Sequence, residues 1–222
     1  MKRILKKLIE WFYAPFVLQY LKQDRFYTYQ GIKIKVKKDV FHPGFFFSTK
    51  HLISFLSQLD IKDKKVLELG AGSGLISFYC YTKGAHVTAT DINSIAIEAL
   101  KENSNRLQML VHILESNLFD SIPKQTFDYI LINPPYYPKT PINIAEHAWY
   151  CGANFEYYVK LFTQLKSYID SNSSVLMTLS EDCNIDKITV LANEGGFDLI
   201  LQKKQRLLWE MNFIYKIQPI KK

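Results

Sequence analysis

From Val66 onward, short aliphatic and β-branched runs alternate with longer amphipathic stretches, and this alternation limits the chain to one broad class of fold. Strands are expected at 66–69, 86–90, 111–114, 127–132 and 174–179, with helices near 74–82, 94–103, 156–168 and 185–193. A strand followed by a covering helix and another strand builds a mostly parallel sheet with helices on both faces. The last two strands, about 198–208 and 212–218, are joined too tightly for a helix, so they should form an antiparallel hairpin. The expectation is an α/β, Rossmann-like sheet, mostly parallel, with an antiparallel C-terminal hairpin. With 222 residues and 48% apolar content, the chain suits one domain with a sizeable core and a small appendage.

That appendage is the first 40 residues, a basic N-terminal extension, with residues 41–222 as the body. Residues 3–22 carry Ile4, Leu5, Leu8, Ile9, Phe12, Tyr13 and Phe16 at helical spacing, with Pro15 as a kink. The strand that follows alternates Ile32, Ile34 and Val36 with Lys33, Lys35 and Lys37, which gives one greasy and one cationic face. The chain carries +7 in total, and residues 1–50 hold eleven basic side chains against three acidic ones. A basic flap on a near-neutral body points to an anionic partner, a nucleic acid or a membrane surface, or else to a solvated face. Lysines also guard exposed edge strands.

Other chemistries are excluded by composition. Cys80, Cys151 and Cys183 are too far apart for a disulfide framework or a zinc site, and five scattered histidines form no metal pair. No metal is expected, no apolar run is long enough to span a membrane, and a reducing cytoplasm is the expected location.

The first strand of the alternating series ends in Glu68-Leu-Gly70-Ala-Gly72-Ser-Gly74 and runs into a helix. Glycines there give a tight turn and let a ligand lie against the backbone. A dinucleotide site needs Gly-x-Gly-x-x-Gly, whereas here the third glycine falls one position early and Leu75 takes its place, which disfavours an oxidoreductase. Asp91 closes the next strand, where an acid can accept both ribose hydroxyls. Together these residues resemble the cofactor motifs of class I S-adenosylmethionine-dependent methyltransferases. The resemblance implies S-adenosylmethionine as cofactor and a seven-stranded sheet. It also implies that Glu68 meets the methionine ammonium, that Asn117 stands where an acid contacts the adenine, and that Phe47 and Thr49 close the methionine end.

The strand at 127–132 ends in Asn133-Pro134-Pro135-Tyr136. This resembles the motif of methyltransferases that act on planar nitrogens, the HemK-like, small methyltransferase domain group, with glutamine, adenine and guanine amines among their acceptors. Such a nitrogen is a weak nucleophile because its lone pair is delocalised. It needs acceptors for its hydrogens: the Asn133 side chain and the Pro134 carbonyl, with the prolines holding the loop stiff and Tyr136 stacking on the flat group. Positioning of this kind lowers a barrier by roughly 7–11 kcal/mol. The segment Ala148 to Asn154 resembles the Trp-x-Gly-Gly-x-x-Gly stretch of HemK-like proteins, with Cys151 and Phe155 where two of its glycines stand.

The expected activity is therefore methyl transfer from S-adenosylmethionine to a planar nitrogen. A macromolecular acceptor is expected, with a nucleic-acid base placed ahead of a protein glutamine, and a non-catalytic cofactor-binding module as a third reading. Pro135, Tyr137, Lys33 and Lys35 are the expected substrate contacts.

Overall fold

The computed structural model describes residues 22–45, 47–207 and 210–221. The helix expected over residues 3–22 lies outside them except for its last residue. In chain order the elements are β1 (Arg25–Tyr29), β2 (Ile32–Val36), α1 (Phe47–Leu56), β3 (Lys65–Leu69), α2 (Leu75–Thr82), β4 (His86–Asp91) and α3 (Ser94–Leu107). They continue with β5 (His112–Glu115), β6 (Tyr129–Ile132), α4 (Glu156–Leu165), β7 (Ser174–Ser180), α5 (Ile185–Glu194), β8 (Phe197–Leu207) and β9 (Glu210–Pro219).

Seven strands form one sheet in the order β5-β4-β3-β6-β7-β9-β8, with β9 antiparallel to both of its neighbours and the rest parallel. The expected hairpin is β8–β9, and its second strand slots between β7 and β8. The chain runs outward from β3 through β4 to β5, then crosses back to β6 on the other side of β3. Such a reversal opens a crevice at the carboxyl ends of the strands, where ligands bind in open α/β sheets.

Each strand residue sends its side chain to the face opposite its neighbour's. Leu67, Leu69, Ile130, Ile132, Val175 and Met177 pack with Tyr158, Leu161 and Phe162 of α4 and with Ile188 and Leu191 of α5. On the other face, Val66, Val87, Ala89, Leu131 and Leu176 pack with side chains of α1, α2 and α3.

That second face also takes in β2. Ile32, Ile34 and Val36 are all buried, and burial of each is worth roughly 1.5–3 kcal/mol. The strand expected from the lysine alternation is therefore part of the main core. Its partner β1 was not expected. The two pair antiparallel through a turn at Gln30-Gly31, both with positive φ, the backbone twist that suits a two-residue hairpin. Asn103 of α3 locks this hairpin in place. Its side chain accepts from the Lys35 N–H at 2.7 Å and donates to the Lys35 carbonyl at 2.8 Å, and it also reaches the Ser73 carbonyl at 3.2 Å.

Candidate active site

A cavity of about 950 Å³ opens at the sheet reversal, lined by the ends of β3, β4 and β6, by Asp39, Phe41, Phe45 and Thr49 among others, and by the loop after β6. One side is built by the glycine turn. Gly70, Gly72 and Gly74 all have positive φ. A side chain on Gly70 would meet nothing within 4 Å, whereas one on Gly74 would lie 2.5 Å from Leu100. Gly70 thus leaves room in the cavity, and Gly74 allows α2 to sit close to α3. The Gly72 N–H donates to Asp91 at 2.8 Å, and the Asn93 N–H donates to the same carboxylate at 2.9 Å. An ionised carboxylate offers about four acceptor positions, so Asp91 can still accept from a diol beside these backbone donors. Burial raises its pKa, and the backbone donors at Asn93, Gly72 and Ile92 oppose that rise.

Glu68 lies deeper and is only 3% exposed. Burial pushes its carboxyl up to about 8, against a donated hydrogen bond from the Ser77 hydroxyl. A buried carboxyl with a single hydroxyl partner is suited to a cationic group beside it. Thr49 is buried on α1 at the cavity wall. Asn117 lies at the opposite end, exposed and followed by Leu118 at φ 55°, a turn held by the Ser116 hydroxyl, which donates to the Leu118 carbonyl at 2.8 Å. A diol acceptor, a buried acid and an uncluttered glycine turn along one trough fit the ribose, the ammonium and the chain of S-adenosylmethionine.

The other side is the Asn-Pro-Pro-Tyr loop. Asn133 follows β6 directly, and its side-chain oxygen accepts from the Thr178 hydroxyl of β7 at 2.8 Å and from the Tyr136 hydroxyl at 3.5 Å. Tyr158, fully buried on α4, donates to the Pro135 carbonyl at 3.0 Å. Burial drives the Tyr136 phenol far above its ordinary range, so it stays a donor. Tyr137 is 41% exposed at the rim, and its backbone pairs with Trp149 and Cys151 at 2.9 Å. This pairing folds the following loop back over the cavity, where Trp149 meets Phe41 with ring centroids 5.5 Å apart.

The structure brings the cofactor-side and acceptor-side residues to one cavity, but not Lys33 and Lys35. Lys35 pairs with Asp24 at 3.3 Å and Glu102 at 3.0 Å, and Lys37 pairs with Glu98 at 2.6 Å. Lys33 lies over the Phe26 ring at 4.9 Å. Lys35 and Lys37 are therefore turned to the acids of α3, and neither Lys33 nor Lys35 is among the residues that line the cavity. Glu146 is a turn residue that accepts from the Ile142 N–H at 3.0 Å, while His147 lines the cavity. Sequence reasoning missed Ser77, Thr178, Tyr158 and the Phe41–Trp149 contact. Thr178 left one trace, as a polar residue inside the apolar run Val175 to Leu179. Among the described residues, no three His, Cys, Asp or Glu side chains are grouped to hold a metal, and no helix is long and apolar enough to cross a membrane.

Comparison with known proteins agrees with this layout. The chain is 38% identical, over 112 residues, to a protein of Methanocaldococcus jannaschii provisionally named a protein N5-glutamine methyltransferase; the match covers 50% of this chain and 54% of that one. It is 35% identical over 149 residues to the release factor glutamine methyltransferase of Rhodopirellula baltica, covering 60% and 48% of the two chains. The chain thus spans about half the length of these relatives. A solved E. cuniculi complex, described as responsible for methylation of the eRF1 translation termination factor, matches with a TM-score of 0.62 at 23% identity, over 82% of this chain and 99% of that one. The relatives' names overturn the expectation of a nucleic-acid base as acceptor, and with it the nucleic-acid partner inferred from the basic N-terminal segment. A family model for the methyltransferase small domain matches residues 31–148, more than half of the chain, and the chain belongs to that family of S-adenosylmethionine-dependent methyltransferases.

Proposed function

We propose that this chain methylates the side-chain amide nitrogen of a glutamine in a protein, with a translation release factor as the first substrate to try. The observation that carries the reading is the Asn133 side-chain oxygen, held at the end of β6 on the same cavity as Asp91 and Glu68. The names of its relatives favour an amide over a base. In this reading residues 41–222 are the catalytic unit, and the hairpin of the extension over residues 1–40 braces it through Asn103.

When bound, the cofactor supplies an electrophilic methyl group on a positively charged sulfur. Asp91 accepts from the two ribose hydroxyls, Glu68 balances the ammonium, Asn117 contacts the adenine edge, and Gly70 and Gly72 let the ligand lie against the backbone. Thr49 closes the methionine end. On the acceptor side, Asn133 and the Pro134 carbonyl each accept one hydrogen of the glutamine amide. With both hydrogens held, the lone pair turns toward the methyl group, and the stiff diproline keeps this geometry without reorganisation. Tyr136 packs on the flat amide, with Pro135 and Tyr137 shaping the entrance. Once the nitrogen carries the methyl group it is strongly acidic and gives one hydrogen to water as a proton, so the site needs no strong base.

The test is transfer of labelled methyl from S-adenosylmethionine into an extract of the source cell, separated into protein, RNA and DNA, with Asn133→Ala as control. Label in protein that depends on Asn133 and maps to a glutamine by mass spectrometry is the expected result. Label confined to RNA or DNA rejects the proposal.

A further inference from the structure

We infer that Thr178 is a positioning residue for methyl transfer, acting through Asn133; this rests on the glutamine reading above. Thr178 lies on β7, one step beyond the Ile132–Met177 pairing of β6 with β7, so it stands beside Asn133 across the two strands. It is 1% exposed. A hydroxyl buried that deeply needs a partner, since an unsatisfied one costs about 1–3 kcal/mol. The Ile132 carbonyl lies at 3.5 Å and the Asn133 side-chain oxygen at 2.8 Å, with the Tyr136 hydroxyl also interacting with Thr178. A hydroxyl has one proton to give, and the shorter distance assigns it to Asn133.

The consequence lies in the lone pairs. An amide oxygen has two. Thr178 covers one from inside the sheet, which sets the plane of the Asn133 amide and distinguishes its oxygen from its nitrogen. The second is met by the Tyr136 hydroxyl at 3.5 Å, the long limit of a hydrogen bond. That weak contact holds the place of the substrate N–H, which displaces it on binding. Without the Thr178 hydroxyl the Asn133 amide is free to rotate, and its NH₂ can face the acceptor, where it repels the substrate hydrogens. Binding of S-adenosylmethionine on the far side of the cavity does not depend on this.

Thr178→Ser and Thr178→Ala differ by one hydroxyl, and Thr178→Val keeps the volume without it. Methylation of the source cell's purified release factors at saturating cofactor should fall about ten- to a hundredfold in kcat for Ala and Val. The fall should exceed any change in KM. The Ser variant should stay within about threefold of the native rate, and all three should bind S-adenosylmethionine alike by calorimetry. Equal rates for Ser and Ala overturn the proposal, even where Val does not fold. A rate for Val within twofold of native, with Asn133→Ala inactive, overturns it while leaving the glutamine reading in place. Full activity in Asn133→Ala removes that reading and this proposal together.

Discussion

The Gly72 N–H donates to the Asp91 carboxylate at 2.8 Å, so the turn after β3 and the end of β4 are joined by a hydrogen bond at the cavity wall. The acid assigned to the ribose is thus also the acid that shapes the glycine turn. Asp91→Asn replaces an ionised acceptor by a neutral amide on both counts. Hydrogen bonds to a charged group are worth about 1.5–3 kcal/mol each, so the Kd for S-adenosylmethionine should rise at least tenfold by calorimetry. A rise of less than threefold would remove Asp91 from the cofactor site.

Glu68 makes both stability and cofactor binding depend on pH. Its ordinary value of 4.5 is raised by burial to about 8 in the fold. Between these two values the folded chain holds on Glu68 a proton that the unfolded chain has lost, so the contribution of Glu68 to stability falls as pH rises from about 4.5 to about 8. The slope approaches one proton, about 1.4 kcal/mol per pH unit. His42, His51 and His147, whose pKa values burial lowers, act in the opposite sense, so the measure is the difference in melting temperature between the cofactor-free native protein and Glu68→Gln, which should shift against the native protein as pH rises over this window. Placing an ammonium beside Glu68 favours its charged form, so binding should release a proton below pH 8. Calorimetry in two buffers of different ionisation enthalpy measures that release, and an identical heat in both argues against the contact.

Two glycines of one turn should fail in different ways. Gly74→Ala adds a methyl 2.5 Å from Leu100 at a φ of 86°, so it should destabilise the fold by about 2 kcal/mol or more. Gly70→Ala meets no atom, but φ is 71° and the new methyl stands in open space. It should cost about 1–2 kcal/mol of stability and also weaken cofactor binding. Urea midpoints and calorimetric Kd values on both variants separate the two effects.

Tyr158→Phe strips the Pro135 carbonyl of its buried donor. The expected loss is about 1–3 kcal/mol in urea unfolding, with a lower methylation rate as the diproline loop loosens. Unchanged stability would mean that water replaces the phenol.

Much of this was legible in the sequence, because a parallel sheet leaves long aliphatic runs and a sharp turn needs glycine. The runs ending at Leu69 and Ile132 located the cavity through Gly70 and Asn133. What stayed hidden depends on partners distant in the chain. β1 escaped notice because Arg25 to Tyr29 is half-buried and its turn is Gln30-Gly31, not a stronger hairpin pair. The lysines of β2 misled because nothing local tells that Glu98 and Glu102, some 60 residues on, neutralise them. The preference for a nucleic-acid base fell to the names of the relatives, because an Asn-Pro-Pro-Tyr loop presents the same acceptors to an amide and to an aromatic amine. Phe155, at a position where a glycine was noted as missing, keeps the glycine-like backbone with φ 61°, and its ring is buried in the core. That arrangement balances about 1 kcal/mol of strain against a larger burial gain.

β9 follows β8 in the chain, yet it lies inside the sheet, flanked by β7 and β8. A growing chain that has reached residue 209 already contains every segment of the cofactor trough, from Glu68 through Asp91 to Asn117. The strand carrying Thr178 still has one naked edge at that moment. In the finished fold that edge is covered by residues 212–217, so the strand that carries Thr178 depends on β9 for its second neighbour. A chain cut short before that point should leave β7 with an open edge and the core without Ile214 and Ile217, and a lower urea midpoint would show it.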